Sequence, residues 1–426
     1  MRNRNVVPSG PRWSNIIWQI LHKDEKPKAL STIKLEDLPN ELLDHIISFL
    51  DIEPPSVQKL TREPSLDLTV SETKHLKHLA LSSHFFRQLS LPRLFRCSRV
   101  KTICYKFCAG DSVISVSFFI DNVESFLAFL CSNNLLGYVK SLVIYINETP
   151  PETLPEQSTL RKTRVIWRHI LPHINPHSVT IVGPPFYLAK LISCGLSTCD
   201  AWAFDMPLHI LRLEQSAGFS APPEATNNTA HGLIDARPWT RMSMNEGSSL
   251  KAYRSYEYYL KIPPSLFGTR TKESISGPLL AMTGLTSLHY TAIFPFYSHT
   301  DDVLKYAKGM PALEKLSVQL VPSLHSNIFS DPARTEKVNL EDCWMEVYTG
   351  YSLIVHAVVE MGENGKLKEF ESMDYEIEDM RESLEGQVRE TMRWWEWCGG
   401  GLWRKAGSSF TPRLDEGNST EIPDWG

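Results

Sequence analysis

Three histidines spaced by four, His169, His173 and His177, could present imidazoles to one metal ion if they shared a helical face. Pro172 and Pro176 interrupt that run, and a proline inside a helix removes a hydrogen bond and clashes with the turn before it. The spacing therefore argues against a metal site. Cys194 and Cys199 with Asp200 make a looser cluster that reads as structural thiols. "GENGK" at 362–366 has a Gly-Lys pair but neither the glycine spacing nor the following Ser or Thr of a phosphate loop. No Gly-x-Ser-x-Gly nucleophile elbow is present. The eight cysteines, at 97, 104, 108, 131, 194, 199, 343 and 398, include no pair at the two-residue gap of a zinc knuckle or redox motif. They read as thiols in a reducing compartment. The expectation is a protein that is not an enzyme, with no cofactor and no metal.

The chain has 426 residues, enough for two or three domains, and its 42% hydrophobic content can fill their cores. A net charge of −5 gives no global pull toward nucleic acid or an anionic membrane. The N-terminal residues carry two early arginines but only the short apolar patch "IIWQIL", which argues against a secretory signal. Apolar runs such as "FLAFLC" at 126–131 fall short of the ~18–20 residues a membrane span needs. Three Asn-x-Thr sequons, at Asn147, Asn227 and Asn418, carry little weight without a secretory signal. A soluble protein of the cytoplasm or nucleus is expected, without nucleic-acid or membrane partners.

With little catalytic chemistry in view, the apolar patterns carry the reading. "LEDLPNELLDHIISFL" (35–50) forms an amphipathic helix whose residues Leu38, Leu42, Ile46, Phe49 and Leu50 make one stripe. Leu43 and Ile47 face a second side, so the helix is apolar on more surface than one small domain needs. Pro39 suits the first helical position, and Glu41 places a charge where the helix dipole favours it. The polar stretch 51–73, with three prolines, reads as a loop. "KHLKHLALSSHFFRQLS" reads as a second helix with Leu76, Leu79, Phe86 and Leu89 on one stripe, and "LPRLFR" as a short third helix from Pro92.

Beyond residue 100, runs of the form Leu-x-x-Leu-x-Val recur: "VKSLVIYI", "HSVTIVG", "LHILRLEQ", "LTSLHYTAI" and "LEKLSVQL", with "RMSMNEG" and "LKEFESMDY" as weaker members. Such spacing suits strand–connection–helix units stacked side by side, each needing a neighbour to cover its hydrophobic face. This suggests a degenerate leucine-rich array; an ordinary α/β domain is the other reading. Polar, proline-rich insertions at 147–158 and 215–232 read as surface loops or disorder. The segment Glu369 to Glu390, nine acids against two arginines, reads as a solvated helix face. "RWWEWCGGGLWR" (393–404) reads either as core that closes the last unit or as an interface anchor.

From Thr73 to Gly110 there are eight Lys or Arg residues and no Asp or Glu. That surface suits nucleic acid or an acidic protein, and the apolar residues interleaved at helical spacing favour the protein.

"LEDLPNELLDHIISFL" followed by "LKHLALSSHFFRQLSLPRLFR" resembles an F-box: Leu-Pro-x-Glu-Leu opens the motif, and Ser83, Phe86 and Leu89 close its second helix. Phe95 stands where the family often has tryptophan, Phe86 is phenylalanine where tryptophan is common, and the loop after the first helix is some twenty residues longer than usual. The match covers about 65 residues; the remainder resembles the degenerate repeat regions of F-box proteins from filamentous fungi.

The resemblance implies a substrate-recognition subunit of an SCF-type ubiquitin ligase, docked on an acidic Skp-type adaptor and through it on a cullin, with an unidentified substrate protein bound by the later region. Leu38, Pro39, Glu41, Leu42, Ile46 and Leu50 would then dock from the first helix. Leu76, Leu79, Phe86, Leu89, Pro92, Leu94 and Phe95 would supply the rest of the contact or the small core behind it. The implied organisation is a disordered segment 1–30, an F-box 31–100, a repeat-like substrate region 101–405 and a flexible tail 406–426. An adaptor-bound scaffold acting outside ubiquitylation, or an α/β enzyme whose F-box governs its turnover, are the competing readings.

Overall fold

The computed structural model describes residues 35–407 apart from 71–72, 110–111, 150–165, 168, 193, 195, 197–199, 217–232, 268–281 and 325. The segment 1–30, the tail beyond 407, and most of the insertions at 147–158 and 215–232 lie outside the described residues. The chain divides into two compact units, one ending at Phe49 and the other starting at Leu50.

The first unit contributes helix α1 (Asn40–Ser48), entered through a 3₁₀ turn at Leu35–Asp37. Pro39 is its N-cap with extended backbone, and its carbonyl accepts from Leu42 and Leu43. No side chain caps this end, so Glu41 in the first turn provides the favourable charge.

The second unit is mixed α/β. Among its described residues, eleven strands form one sheet: β1 (Cys97–Ala109), β2 (Ser112–Ile120), β3 (Ser141–Tyr145), β4 (Ser178–Gly183), β5 (His209–Gln215), β6 (Trp239–Ser248), β7 (Ser287–Ile293), β8 (Lys315–Gln319), β9 (Glu369–Ser372), β10 (Trp395–Gly399) and β11 (Leu402–Lys405). All seven recurrent apolar runs form strands, β3 to β9. From β1 through β3 to β9 each strand lies beside its successor in the chain, with β2 outside β1 and the order β9-β11-β10 at the other edge. The uniform direction expected of a stack does not hold: β5 runs antiparallel to both β4 and β6, while β3–β4, β6–β7, β7–β8 and β8–β9 are parallel.

Strand alternation divides the sheet into two unlike faces. Leu142 and Ile144, Val179 and Ile181, Leu211 and Leu213, Met242 and Met244, Leu288 and Tyr290, Leu316 and Val318, and Phe370 enter one large core. Helices α4 (Val123–Ser132), α5 (Pro185–Leu191), α6 (Tyr297–Gly309), α7 (Leu340–Glu363) and α8 (Glu378–Thr391) contribute buried residues to that core. In α7, Asn339 accepts from Glu341 N–H at 3.1 Å, and Val347, Tyr351, Ile354 and Val358 form the buried stripe. The acidic stretch after residue 377 is α8, which buries only Met380, Leu384 and Val388, at helical spacing.

The opposite face alternates Ser141, Val143 and Tyr145 with polar neighbours such as Ser178, Arg212, Asn245, His289, Ser317 and Glu371. Part of it is covered by the stretch read from sequence as a free loop. Residues 51–70 form a strap with two short helical pieces, Pro55–Gln58 and Leu66–Thr69. Leu68 packs with Val182 of β4 and Ile210 of β5 in a second small core, edged by Leu60, Leu66, Tyr145 and Leu208. The buried Asn245 amide donates to the carbonyls of Leu60 and Arg62 at 2.8 and 2.7 Å. Arg334 grips Glu63 with two bonds of 2.6 Å, and Gly247 (φ 79°) lets Pro64 approach within 3.4 Å of where a Cβ would sit.

Helices α2 (Lys74–Ser82) and α3 (His84–Arg96) follow the strap. The sequence suggested a break at Pro92, but the break falls at Ser83, whose extended backbone and hydroxyl cap α3 by accepting from Phe86 N–H at 3.2 Å. Pro92 lies inside α3, which runs straight into β1 at Cys97. A fragment starting after residue 100 would therefore lose the strap and four of the five β1–β3 pairs.

The tryptophan cluster is the hairpin β10–β11, turned by Gly399, Gly400 and Gly401, all at positive φ. A Cβ on Gly401 would run into the Ser372 carbonyl oxygen. Trp403 is buried and stacks on Phe370 at 5.5 Å, and Trp395 packs against the core, while Trp394 and Trp397 stay exposed. The hairpin thus contributes core with two of its rings and surface with the other two. Trp403→Ala should cost roughly 3–5 kcal/mol in urea unfolding, whereas Trp394→Ala should cost less than about 0.5 kcal/mol. Equal costs would overturn this division of roles.

Candidate functional site

The sequence-derived docking residues fall in both units. On α1 the helix is sided: Leu43 and Ile47 are buried, while Leu42 is 51%, Ile46 39% and Phe49 74% exposed. Pro39 and Glu41 are also exposed, and Leu38 is half-buried at the entry. Spacing at i, i+4 and i+7 places Leu42, Ile46 and Phe49 on one face. His45 adds its ring edge-on to Phe49, centroids 4.9 Å apart. The arrangement is a short apolar ridge facing solvent, bounded by carboxylates at Glu36, Asp37 and Glu41.

In the second unit, Leu76 and Phe86 are buried and belong to the packing of α2 and α3. Leu50, Leu79, Leu89, Pro92, Leu94 and Phe95 are half-buried. Phe95 lies against Phe129 of α4 with centroids 5.1 Å apart, so it is a packing residue as well as an accessible one. The basic run is partly neutralised: Arg93 and Arg96 both reach Asp51, at 3.3 and 3.1 Å, and that carboxylate is nearly buried. Arg99 donates to the Thr69 carbonyl and lies over the Tyr145 ring, 5.6 Å from its centroid. Lys77 and Arg87 keep no such partner among the described residues.

The chemical candidates of the sequence do not assemble. His169, His173 and His177 are all exposed, and no group of three or more potential metal ligands comes together among the described residues. Cys194 and Cys343 are buried thiols outside any disulfide; Cys199 lies outside the described residues.

A cluster that no sequence motif marks sits inside the core. The Glu246 carboxylate of β6 accepts from Ser265 and from the Tyr290 hydroxyl at 2.8 Å, and meets Nε2 of His299 in α6 at 2.7 Å. Burial alone would raise its pKa; the charge and hydrogen bond of His299, then His209 and Ser265, overcome that and hold it down at about 2. His209, at the start of β5, is fully buried, and neither ring nitrogen has a partner. Burial therefore drives its pKa down to about 4, the pull of Glu246 being the lesser effect. Asp374 shows the opposite behaviour: burial lifts it to about 7 although Leu320 N–H, the Tyr351 hydroxyl and Val321 N–H donate to it. These carboxylates are buried and fasten strand ends to helices. The arrangement serves structure, with Glu246 joining β6, β7 and α6.

No protein-family model, curated protein or solved structure matches this chain. No helix among the described residues is long and apolar enough to cross a membrane.

A histidine that burial keeps neutral adds no proton-linked penalty to folding above pH 6.5, and a penalty grows as pH falls toward about 4, because the unfolded chain takes up the proton that the folded one refuses. The stability of the wild type relative to His209→Leu should accordingly fall by on the order of 3 kcal/mol between pH 7 and pH 4, measured by urea unfolding. A difference that stays constant over that range would show that His209 does not titrate with folding.

Proposed function

We propose that this chain is the substrate-recognition subunit of an SCF-type ubiquitin ligase, with α1 docking on a Skp-type adaptor. The observation that carries this reading is the solvent-facing ridge of Leu42, Ile46 and Phe49 on a helix whose other side, Leu43 and Ile47, is already buried. An isolated exposed leucine is ordinary, but three large apolar residues along one short helix constitute a surface that needs a partner. Pro39 and Glu41 stand at the opening of the same helix, as in the F-box motif the sequence resembles. Burying each large side chain contributes roughly 1.5–3 kcal/mol, so Leu38, Leu42, Ile46 and Phe49 together support a complex after association costs are met.

The substrate would meet the second unit. Its strands succeed one another in chain order with helices on one face, which supports the reading of an irregular leucine-rich-repeat-like array. The polar face, from Arg241 through His289 and Glu371 to Arg404, offers side chains for recognition. Two of its ion pairs, Lys315–Glu371 at 2.8 Å and Arg404–Glu369 at 2.7 Å, fix the charge pattern. In this role the protein performs no covalent step; it raises the effective concentration of substrate at the ubiquitin-conjugating enzyme.

Because Leu42 and Ile46 are exposed, Leu42→Asp with Ile46→Asp should leave the unfolding midpoint unchanged while lowering capture of the purified adaptor by at least about tenfold, as a charge in an apolar contact demands. Capture at wild-type level by this folded variant would remove the docking assignment. Co-purification of a cullin with the wild type, lost in the variant, would separate the ligase reading from a scaffold that holds the adaptor alone.

A further inference from the structure

The helices that follow the strap border an open cleft of about 550 Å³. Its volume lies in the ~300–1,000 Å³ range of small-molecule pockets. Leu68 lies in its wall from the strap, Leu91 from α3, Phe126 and Phe129 from α4 and Val143 from β3, so four separate pieces of chain converge on one apolar interior. Val70 and Leu81 stand at it with 53% and 76% of their surface in solvent.

The charges around this interior are unequal. Asp51 and Glu53 are the acids lining it, and Asp51 is already held by Arg93 and Arg96. Arg99 is engaged with the Thr69 carbonyl and the Tyr145 ring. Lys77 and Arg87 line the same cleft, and their side chains make no hydrogen bond or ion pair among the described residues. Two unneutralised cations beside an apolar cleft favour a ligand that is apolar at one end and anionic at the other. A neutral apolar molecule would leave them unanswered, and an inorganic anion would leave the phenylalanine wall uncovered.

We propose that the cleft binds an amphipathic organic anion, its apolar body against Leu91, Phe126 and Phe129 and its carboxylate or phosphate head on Lys77 and Arg87. The inference does not rest on the α1 ridge, since the residues that carry it lie in the other unit. Leu94 and Phe95 also line the cleft, so an occupant would touch α3 directly.

The test uses the full chain and the fluorescent anion 8-anilinonaphthalene-1-sulfonate as probe. Decanoate and decyl phosphate are each titrated as competitors to distinguish a carboxylate from a phosphate head, and decanol serves as the neutral control. The proposal expects displacement by at least one of the anions at concentrations about tenfold lower than for decanol. Lys77→Glu, at an exposed position, with Arg87→Glu, at a half-buried one, should weaken the effective anion at least tenfold and leave decanol and the urea midpoint unchanged. Leu42→Asp with Ile46→Asp should leave the titration as in the wild type. Failure of both anions to displace the probe would overturn the proposal, as would charge reversal without effect on them. Displacement that vanishes in the α1 variant would assign the probe to the exposed ridge instead and equally overturn it.

Discussion

A sheet of eleven strands has two faces, and one layer of helices can cover only one of them. The rest of this structure follows from how the second face is managed. Where β4 and β5 bring Val182 and Ile210 to that face, the strap 51–70 supplies Leu68 to cover them. The strap is a polar segment with few contacts of its own, so the sheet must hold it: Asn245 takes two of its carbonyls and Arg334 takes its Glu63. Elsewhere the face carries serines, threonines and paired charges, which tolerate water. Covering the apolar part by a piece of chain that precedes α2 also fixes where α2 and α3 begin.

Much of the fold was legible because a strand of this kind carries its own signal. Large apolar residues at every second position marked β3 to β9 even where, as with the two methionines of "RMSMNEG", the pattern was weak. Strand direction was not legible, because a period of two reads the same from either end; the reversal of β5 depends on its connections. The strap hid for a different reason. Its apolar residues Leu60, Leu66 and Leu68 are spread among prolines and charges, and only the partners on β4 and β5 give them meaning. The break between α2 and α3 could have been placed from Ser82-Ser83 followed by an aromatic pair, since an extended serine is a better helix boundary than a proline that a packed helix can absorb.

The candidate docking helix was legible as a helix but not as a sided one. Both of its faces are apolar, so periodicity alone could not tell whether Leu42 and Ile46 or Leu43 and Ile47 would be exposed. The enclosed carboxylates escaped sequence reading altogether, because Glu246 and Asp374 carry no motif and draw their partners from distant segments. Burial of such groups is costly unless hydrogen bonds compensate it, and here the bonds come from the elements each carboxylate ties together. The same partners that make the charge tolerable thereby specify which helix sits over which strand.

The chain-order succession of strands has a consequence for how the protein is made. From β3 to β9 each strand leaving the ribosome finds its neighbour already in place, so the sheet can grow vectorially, one connection at a time, rather than waiting for later segments. The rule fails only at the far edge. There β11 slots between β9 and β10, so β10 has no partner until the residues after the glycine turn have emerged. During synthesis the Phe370 edge therefore stays open until Trp403 arrives to cover it. A ribosome that stalls in that short window would display an unpaired, aromatic sheet edge, the kind of surface that chaperones retain and proteases find.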